Sequence, residues 1–159
     1  MRRPIAGWKI AAVIVGAVSL TLAAAFLAVQ LVRLPIAAGT IDPLRLNMTE
    51  FRDRGLFKTG ASSYTLRLIA KEWVFDAGQR RDQPFAFTIP VGSTVTIVAT
   101  SMDVMHSLKI GKEPTIPIIA GTISTRTITF TTPGTYPLAC TSYCGPNHLQ
   151  MTGTITITP

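Results

Sequence analysis

The sequence predicts an all-β domain, a Greek-key sandwich or barrel, tethered by one N-terminal transmembrane α-helix. Three observations carry that reading. Ile10 to Val32 is a run of twenty-three residues without a charge. From Tyr64 onward, short runs rich in Thr, Ile, Val and Phe alternate with Gly and Pro, and no strong helical pattern returns. The 159 residues leave room for one globular core besides the apolar run.

The run IAAVIVGAVSLTLAAAFLAVQLV explains why the chain is 47% hydrophobic and only 14% charged. At about 1.5 Å per helical residue it reaches roughly 35 Å, enough to cross a bilayer. A single segment in lipid must satisfy its own backbone polar groups, which a helix does and a lone strand does not. A cleaved signal peptide has a shorter apolar region, and Ala37-Ala38-Gly39 is a poor cleavage site, so a retained anchor over 10–32 is expected. Arg2, Arg3 and Lys9 precede the span, whereas Arg33 and Arg45 are the nearest cations after it. That asymmetry places residues 1–9 in the cytoplasm and the folded domain outside the plasma membrane.

The formal charge of +7 divides unevenly. Arg2, Arg3, Lys9 and Arg33 belong to the anchor, which leaves eleven cations against eight carboxylates, or +3, for the rest. Arg80 and Arg81 are adjacent, but no basic run interleaved with aromatics suits a phosphate backbone, so no nucleic acid partner is expected.

Residues 33–63 read as a linker. Asp42-Pro43 has the form of an N-cap and first helical residue ahead of Leu44, Met48, Phe51 and Phe57, which suggests a short amphipathic helix on the membrane surface or against a partner subunit. A solvated stalk is the alternative.

Over 64–159, strands are expected near Tyr64–Ala70, Phe85–Ile89, Thr94–Thr100, His106–Ile110, Thr122–Phe130, Thr135–Ala139 and Gly153–Thr158. Pro90-Val91-Gly92 and Pro133-Gly134 supply turns. In TISTRTITF neither alternating face is cleanly apolar, so its burial is not legible.

The chemistry concentrates in one loop. Of two His and two Cys in the chain, three lie within Cys140-Thr141-Ser142-Tyr143-Cys144-Gly145-Pro146-Asn147-His148, Met151 follows, and His106 stands upstream at a strand start. Thiolate, imidazole and thioether together favour copper over hard cations. Structural zinc prefers closely paired ligands and has no use for a thioether. A disulfide between the cysteines, ordinary polar histidines and a core methionine form the bland alternative, which requires all of them to converge by accident. His106, Cys144, His148 and Met151 alone would make a mononuclear blue copper site. Cys140, four residues before Cys144, would then be a spare thiol, whereas two bridging sulfurs holding a pair of coppers use every ligand.

Ser101-Met102-Asp103-Val104-Met105-His106 resembles the S-x-D-V-x-H segment, and Cys140 to Met151 resembles the C-x3-C-G-x2-H-x2-M segment, of cytochrome c oxidase subunit II, in the form with a single N-terminal helix. The resemblance implies a cupredoxin domain over 64–159 and a dinuclear CuA centre. It implies bridging by Cys140 and Cys144, with His106 and Met151 on one copper, and His148 and the Ser142 backbone carbonyl on the other. Ser142 stands where many members carry Glu, which puts the family's interfacial magnesium site in doubt. Trp73, in Lys71-Glu72-Trp73-Val74-Phe75, resembles the segment through which electrons arrive; a strand aromatic in the core is the other reading. Asp103 is expected to orient the ligand loop through backbone amides, or to serve as a plain turn residue. Tyr143 is expected to shield the centre or meet a neighbouring subunit, with no chemistry of its own.

By the same resemblance the chain takes single electrons from cytochrome c or a blue copper protein and passes them to haem in catalytic subunit I. Oxygen reduction lies in that partner, so this chain holds no catalytic residue of its own. The net +3 disfavours a strongly basic donor. The CuA subunit of a nitric oxide reductase and a membrane-tethered copper carrier are the alternatives.

Overall fold

The apolar run forms a helix, α1, over Gly7–Leu31. Its stretch Gly7–Ala28 is long and apolar enough to cross a membrane. The computed structural model describes residues 7–31, 36–80 and 83–159. Arg2, Arg3 and Arg33, which carry the charge asymmetry across the span, and Arg81 lie outside the described residues.

The chain divides into two units, Met1–Leu34 and Pro35–Pro159. The second is a sandwich of two sheets. The first sheet has the order β1 (Ile36–Thr40), β9 (Thr122–Thr129), β6 (Thr94–Ser101), β3 (Ser63–Lys71), β2 (Gly55–Lys58), with β4 (Val74–Asp76) also on β3. The second has the order β5 (Phe85–Pro90), β11 (Thr152–Thr158), β10 (Gly134–Ala139), β7 (His106–Ile110), β8 (Ile116–Ile118). β3 runs parallel to β6 and β5 parallel to β11, and the remaining pairs are antiparallel.

Side chains alternate across a strand, so each strand offers one row to the core. Leu66, Leu68 and Ala70 on β3 join Val95, Ile97 and Ala99 on β6. Against them pack Leu108 and Ile110 on β7, Leu138 on β10, and Ile155 and Ile157 on β11. On β9 the inward row is Ser124, Arg126 and Ile128, which explains its unreadable pattern. The opposite row meets β6 through hydroxyl pairs, Thr94–Thr129 at 3.0 Å and Thr96–Thr127 at 3.1 Å.

Residues 33–63, read from the sequence as a linker with a short helix, contribute strands β1 and β2 to the first sheet. Between them lie two 3-10 turns, Leu46–Met48 and Glu50–Arg52, in place of an amphipathic helix. Thr49 caps the second turn by accepting from the Phe51 amide at 3.2 Å. The two turns drive Leu46 and Phe51 onto Ile69, beside Ile41, Val98 and Ile123, and so cover the outer face of the first sheet. The physical reason is spacing: Leu46 and Phe51 are five apart, which suits two tight turns better than one 3.6-residue stripe.

Candidate metal centre

Three neighbouring strands of the second sheet converge on the site. The inward row of β7 runs Ile110, Leu108, His106, and all three are buried. On β10 the row of Tyr136 and Leu138 continues one step past the strand to Cys140. On β11 the row of Ile157, Ile155 and Gly153 leads back to Met151. The Cys140 amide donates to the Met151 carbonyl at 3.0 Å, which extends the β10–β11 ladder to the site. Strand periodicity therefore places His106, Cys140 and Met151 on one end of the core, in a row that is otherwise aliphatic.

The loop from Cys140 to Met151 brings in the remaining donors. Cys144 Sγ lies 3.8 Å from Cys140 Sγ, 3.5 Å from His148 Nδ1 and 3.9 Å from Met151 Sδ. Cys140 Sγ lies 3.2 Å from the Ser142 carbonyl oxygen. Donor atoms of His106, Cys140 and Cys144 fall within 4.8 Å of one another. Both cysteines are free thiols, and their separation is far beyond the roughly 2.05 Å of a disulfide. The sequence-derived donors thus meet at one point.

His106 supplies the sharpest test of whether these residues fit a metal. Its Nε2 is hydrogen-bonded to Asp103 Oδ1 at 2.8 Å, while its buried Nδ1 has no partner. A buried polar nitrogen left unpaired is costly, and metal-bound histidines typically spend the other ring nitrogen on a carboxylate. Three sulfur donors and two imidazoles suit copper. The Cys144 thiol is pushed up to about 11, chiefly by burial and further by the adjacent Cys140. Burying two thiolates calls for a cation, and binding one would release their protons.

Asp103 does more than its expected backbone role. Its carboxylate also accepts from the amides of Glu72 at 2.7 Å and Val104 at 2.7 Å, besides the imidazole. Burial pushes the carboxyl up, but the His106 bond and the two amides outweigh it and hold the group below the usual carboxylate range. Trp73 packs against the main core, as the other reading expects, but not from a strand. It sits in the turn between β3 and β4, half-buried, and its indole Nε1–H donates to the Cys144 carbonyl at 3.1 Å. The loop lies close under the ring: a Cβ at Gly145, whose φ is +124°, would stand 2.7 Å from Trp73 Nε1. Tyr143 is exposed, its ring centroid 6.0 Å from that of His148.

Ser107 and Thr141 were not legible as site residues. Ser107 Oγ accepts from the Thr141 amide at 2.9 Å and pairs with Thr141 Oγ1 at 2.8 Å, clamping the His106 strand to the loop between the cysteines. Only the pairing of β7 with β10 brings them together, and the sequence carries no signal of that pairing.

Comparison with known proteins gives the family and the fold. Residues 66–158 match the family model described as cytochrome C oxidase subunit II, periplasmic domain. A cytochrome c oxidase subunit 2 of Thermus thermophilus is 30% identical over 131 residues, covering 77% of this chain and 90% of the relative. A cryo-EM structure of a heme-copper terminal oxidase dimer aligns with a TM-score of 0.69 at 28% identity, over 93% of this chain and 99% of that one. The periplasmic domain of subunit II of cytochrome oxidase (CoxB) of Bradyrhizobium japonicum shares the fold, with a TM-score of 0.50 at 17% identity over 59% of this chain and 83% of that one. The sandwich is cupredoxin-like, and the chain belongs to the cytochrome c oxidase subunit II family of the haem–copper oxidases.

Proposed function

We propose that this subunit receives single electrons at a dinuclear copper centre and delivers them to haem in catalytic subunit I. The observation that carries the reading is a buried histidine, His106, whose Nδ1 has no partner and whose ring lies with two free thiols in one cluster of donor atoms within 4.8 Å. Cys140 and Cys144 would bridge, His106 Nδ1 and Met151 would complete one copper, and His148 Nδ1 and the Ser142 carbonyl the other. The bound pair supplies a one-electron carrier whose charge is shared over two ions, which lowers reorganisation on transfer.

The chain's own residues do the rest. β7, β10 and β11 hold His106, Cys140 and Met151 on a rigid sheet end, so the donors are preorganised before metal arrives. Asp103 holds the His106 ring by Nε2 and so leaves Nδ1 available to a metal. Leu108, Leu138 and the rest of the buried rows keep water from the inner side. Trp73 spans from the surface to the Cys144 carbonyl and offers a short bonded route for electrons from a cytochrome c or a blue copper donor. The helix over Gly7–Leu31 would anchor the subunit in the plasma membrane, with the copper domain on the outer side.

The test is copper stoichiometry and electron spin resonance on the full chain. Two coppers per chain and a hyperfine pattern from one electron shared by two nuclei are expected. Cys140→Ser should abolish that pattern, while Met151→Leu should shift the potential and keep both metals. One copper per chain, or an unchanged spectrum in Cys140→Ser, refutes the bridged centre.

A further inference from the structure

The backbone ladder between β7 and β10 stops just short of the loop that bears both sulfurs. Its registered pairs are Leu138 with Ile110 and Ala139 with Lys109. The same register, carried two residues further, sets Ser107 opposite Thr141, and there a side chain takes over from the ladder. Ser107 Oγ accepts from the Thr141 amide at 2.9 Å and shares a hydrogen bond with Thr141 Oγ1 at 2.8 Å. Ser107 is only 2% exposed whereas Thr141 is exposed, so the serine hydroxyl is the fixed partner of the two. A hydroxyl that far from water depends on protein partners for its hydrogen bonds. Cys140 is thereby held from two neighbouring strands. Its own amide donates to the Met151 carbonyl at 3.0 Å, at the start of β11, and the next amide in the chain donates to Ser107 on β7. Two consecutive amides tied to two strands leave the backbone at Cys140 little freedom, and Ser107 directly follows His106.

We infer that Ser107 is a positioning residue for the metal centre: through Thr141 it fixes where the Cys140 sulfur stands relative to His106. The inference rests on the reading of Cys140 and Cys144 as bridges between two coppers and adds the residue that sets one end of the bridge. Cys144 is held from elsewhere, its carbonyl accepting from the Trp73 indole at 3.1 Å. The two sulfurs, 3.8 Å apart, are therefore placed by different parts of the fold, Cys140 by β7 and β11 and Cys144 by the turn after β3. Even sharing of one electron over two bridged ions needs both sulfurs in place, so loosening Cys140 alone makes the sharing unequal. A site ordered before the metal arrives also loses less freedom on binding, and holds its metal more tightly.

The test compares three variants of the copper-loaded full chain in detergent. Ser107→Ala deletes both hydrogen bonds, Thr141→Val keeps the amide bond and deletes the hydroxyl pair at an exposed position, and Thr141→Ser keeps both. Ser107→Ala should lose copper to a chelator about three- to tenfold faster than the natural chain, the effect of about one net hydrogen bond. Its electron spin resonance should change from an even to an uneven hyperfine pattern, and its reduction potential should shift. Thr141→Val should move the same three readings less, and Thr141→Ser should match the natural chain. Urea unfolding of the metal-free chains separates positioning from simple support of the fold. A lowered urea midpoint in Ser107→Ala, with spectrum, potential and copper loss all unchanged, overturns the inference. Identical readings in all four proteins overturn it too. If Ser107→Ala does not fold, Thr141→Val decides, and unchanged readings in that variant overturn the inference. The two-copper reading fails separately, as one copper per chain in the natural protein. Ser107 is then judged by copper loss alone, and equal rates in Ser107→Ala and Thr141→Ser overturn its role.

Discussion

The Trp73 indole N–H and the Cys144 carbonyl, seventy-one residues apart in sequence, are joined by a hydrogen bond of 3.1 Å. The bond ties a half-buried aromatic to the backbone of the loop that bears both sulfurs. Trp73→Phe keeps an aromatic ring and deletes only the donor. A hydrogen bond of this kind contributes about 0.5–1.5 kcal/mol, so stability should fall modestly. Electron uptake from a protein donor should slow several-fold while donor affinity holds, which stopped-flow reduction at several donor concentrations separates. A stability loss with unchanged uptake would make Trp73 a prop for the loop and nothing more.

Asp103 binds the His106 imidazole, the Glu72 amide and the Val104 amide at once, so one carboxylate ties the histidine to the Trp73 turn. Asp103→Asn retains an acceptor and should keep both coppers with a shifted potential. Asp103→Ala frees the ring and leaves the Glu72 amide without its acceptor. It should weaken copper affinity about 10- to 100-fold, the usual cost of losing such a partner of a metal-binding histidine. Titration with a copper chelator and the reduction potential of each variant report the two effects. Equal behaviour of the Asn and Ala variants would reduce Asp103 to a turn residue.

The grouping of Cys140, Cys144, His148 and Met151 is legible in the sequence because the four share one loop, and the structure brings their side chains together. The sequence also announced the central strands, whose apolar rows alternate in the LRLIA and TVTIVA runs. What stayed hidden was decided by partners distant in the chain. Ser107 and Thr141 gain their role only when β7 pairs with β10. Strand β9 has mixed faces because buried Ser124 finds an acceptor in the Pro117 carbonyl at 2.6 Å, and its threonines pair with those of β6. The stretch before Tyr64 looked like a tether because β1 and β2 are short strands, and their sequences carry little alternation.

Asp76 makes a pH prediction outside the candidate metal centre. Burial pushes its carboxyl up, but the Lys71 hydrogen bond, the Gly78 amide and the charges of Lys71 and Arg54 hold it below the ordinary range. A carboxyl with a lowered folded-state value stabilises the fold above its unfolded value, about 3.9, and the contribution disappears as pH falls through the lower, folded value. Asp76→Asn should therefore be less stable than the natural chain at neutral pH by a margin that is constant down to about pH 5 and closes below about pH 4. Urea unfolding across that range measures it. A margin that stays constant down to pH 2 would remove the carboxylate's charge from the explanation.

Phe51 ties the stretch before Tyr64 to the domain. It is fully buried with Leu46 and Ile69, in a cluster separate from the core that holds Cys140 and Cys144. Phe51→Ala removes a whole ring from a small cluster that has little else to close the gap, at a cost of about 3–5 kcal/mol. Small domains have only about 5–15 kcal/mol of net stability, so the loss should lower the urea midpoint sharply. Leu44→Ala, at an exposed position of the same strap, should fall within about 0.5 kcal/mol of the natural chain. Because the cluster lies on the outer face of the first sheet, the copper spectrum of folded Phe51→Ala should be unchanged. A fragment cut at Ser62 removes β1, β2 and both turns together, and it should unfold more readily than Phe51→Ala. Equal stability of that fragment and the full-length domain would show that the strap covers the sheet without supporting it.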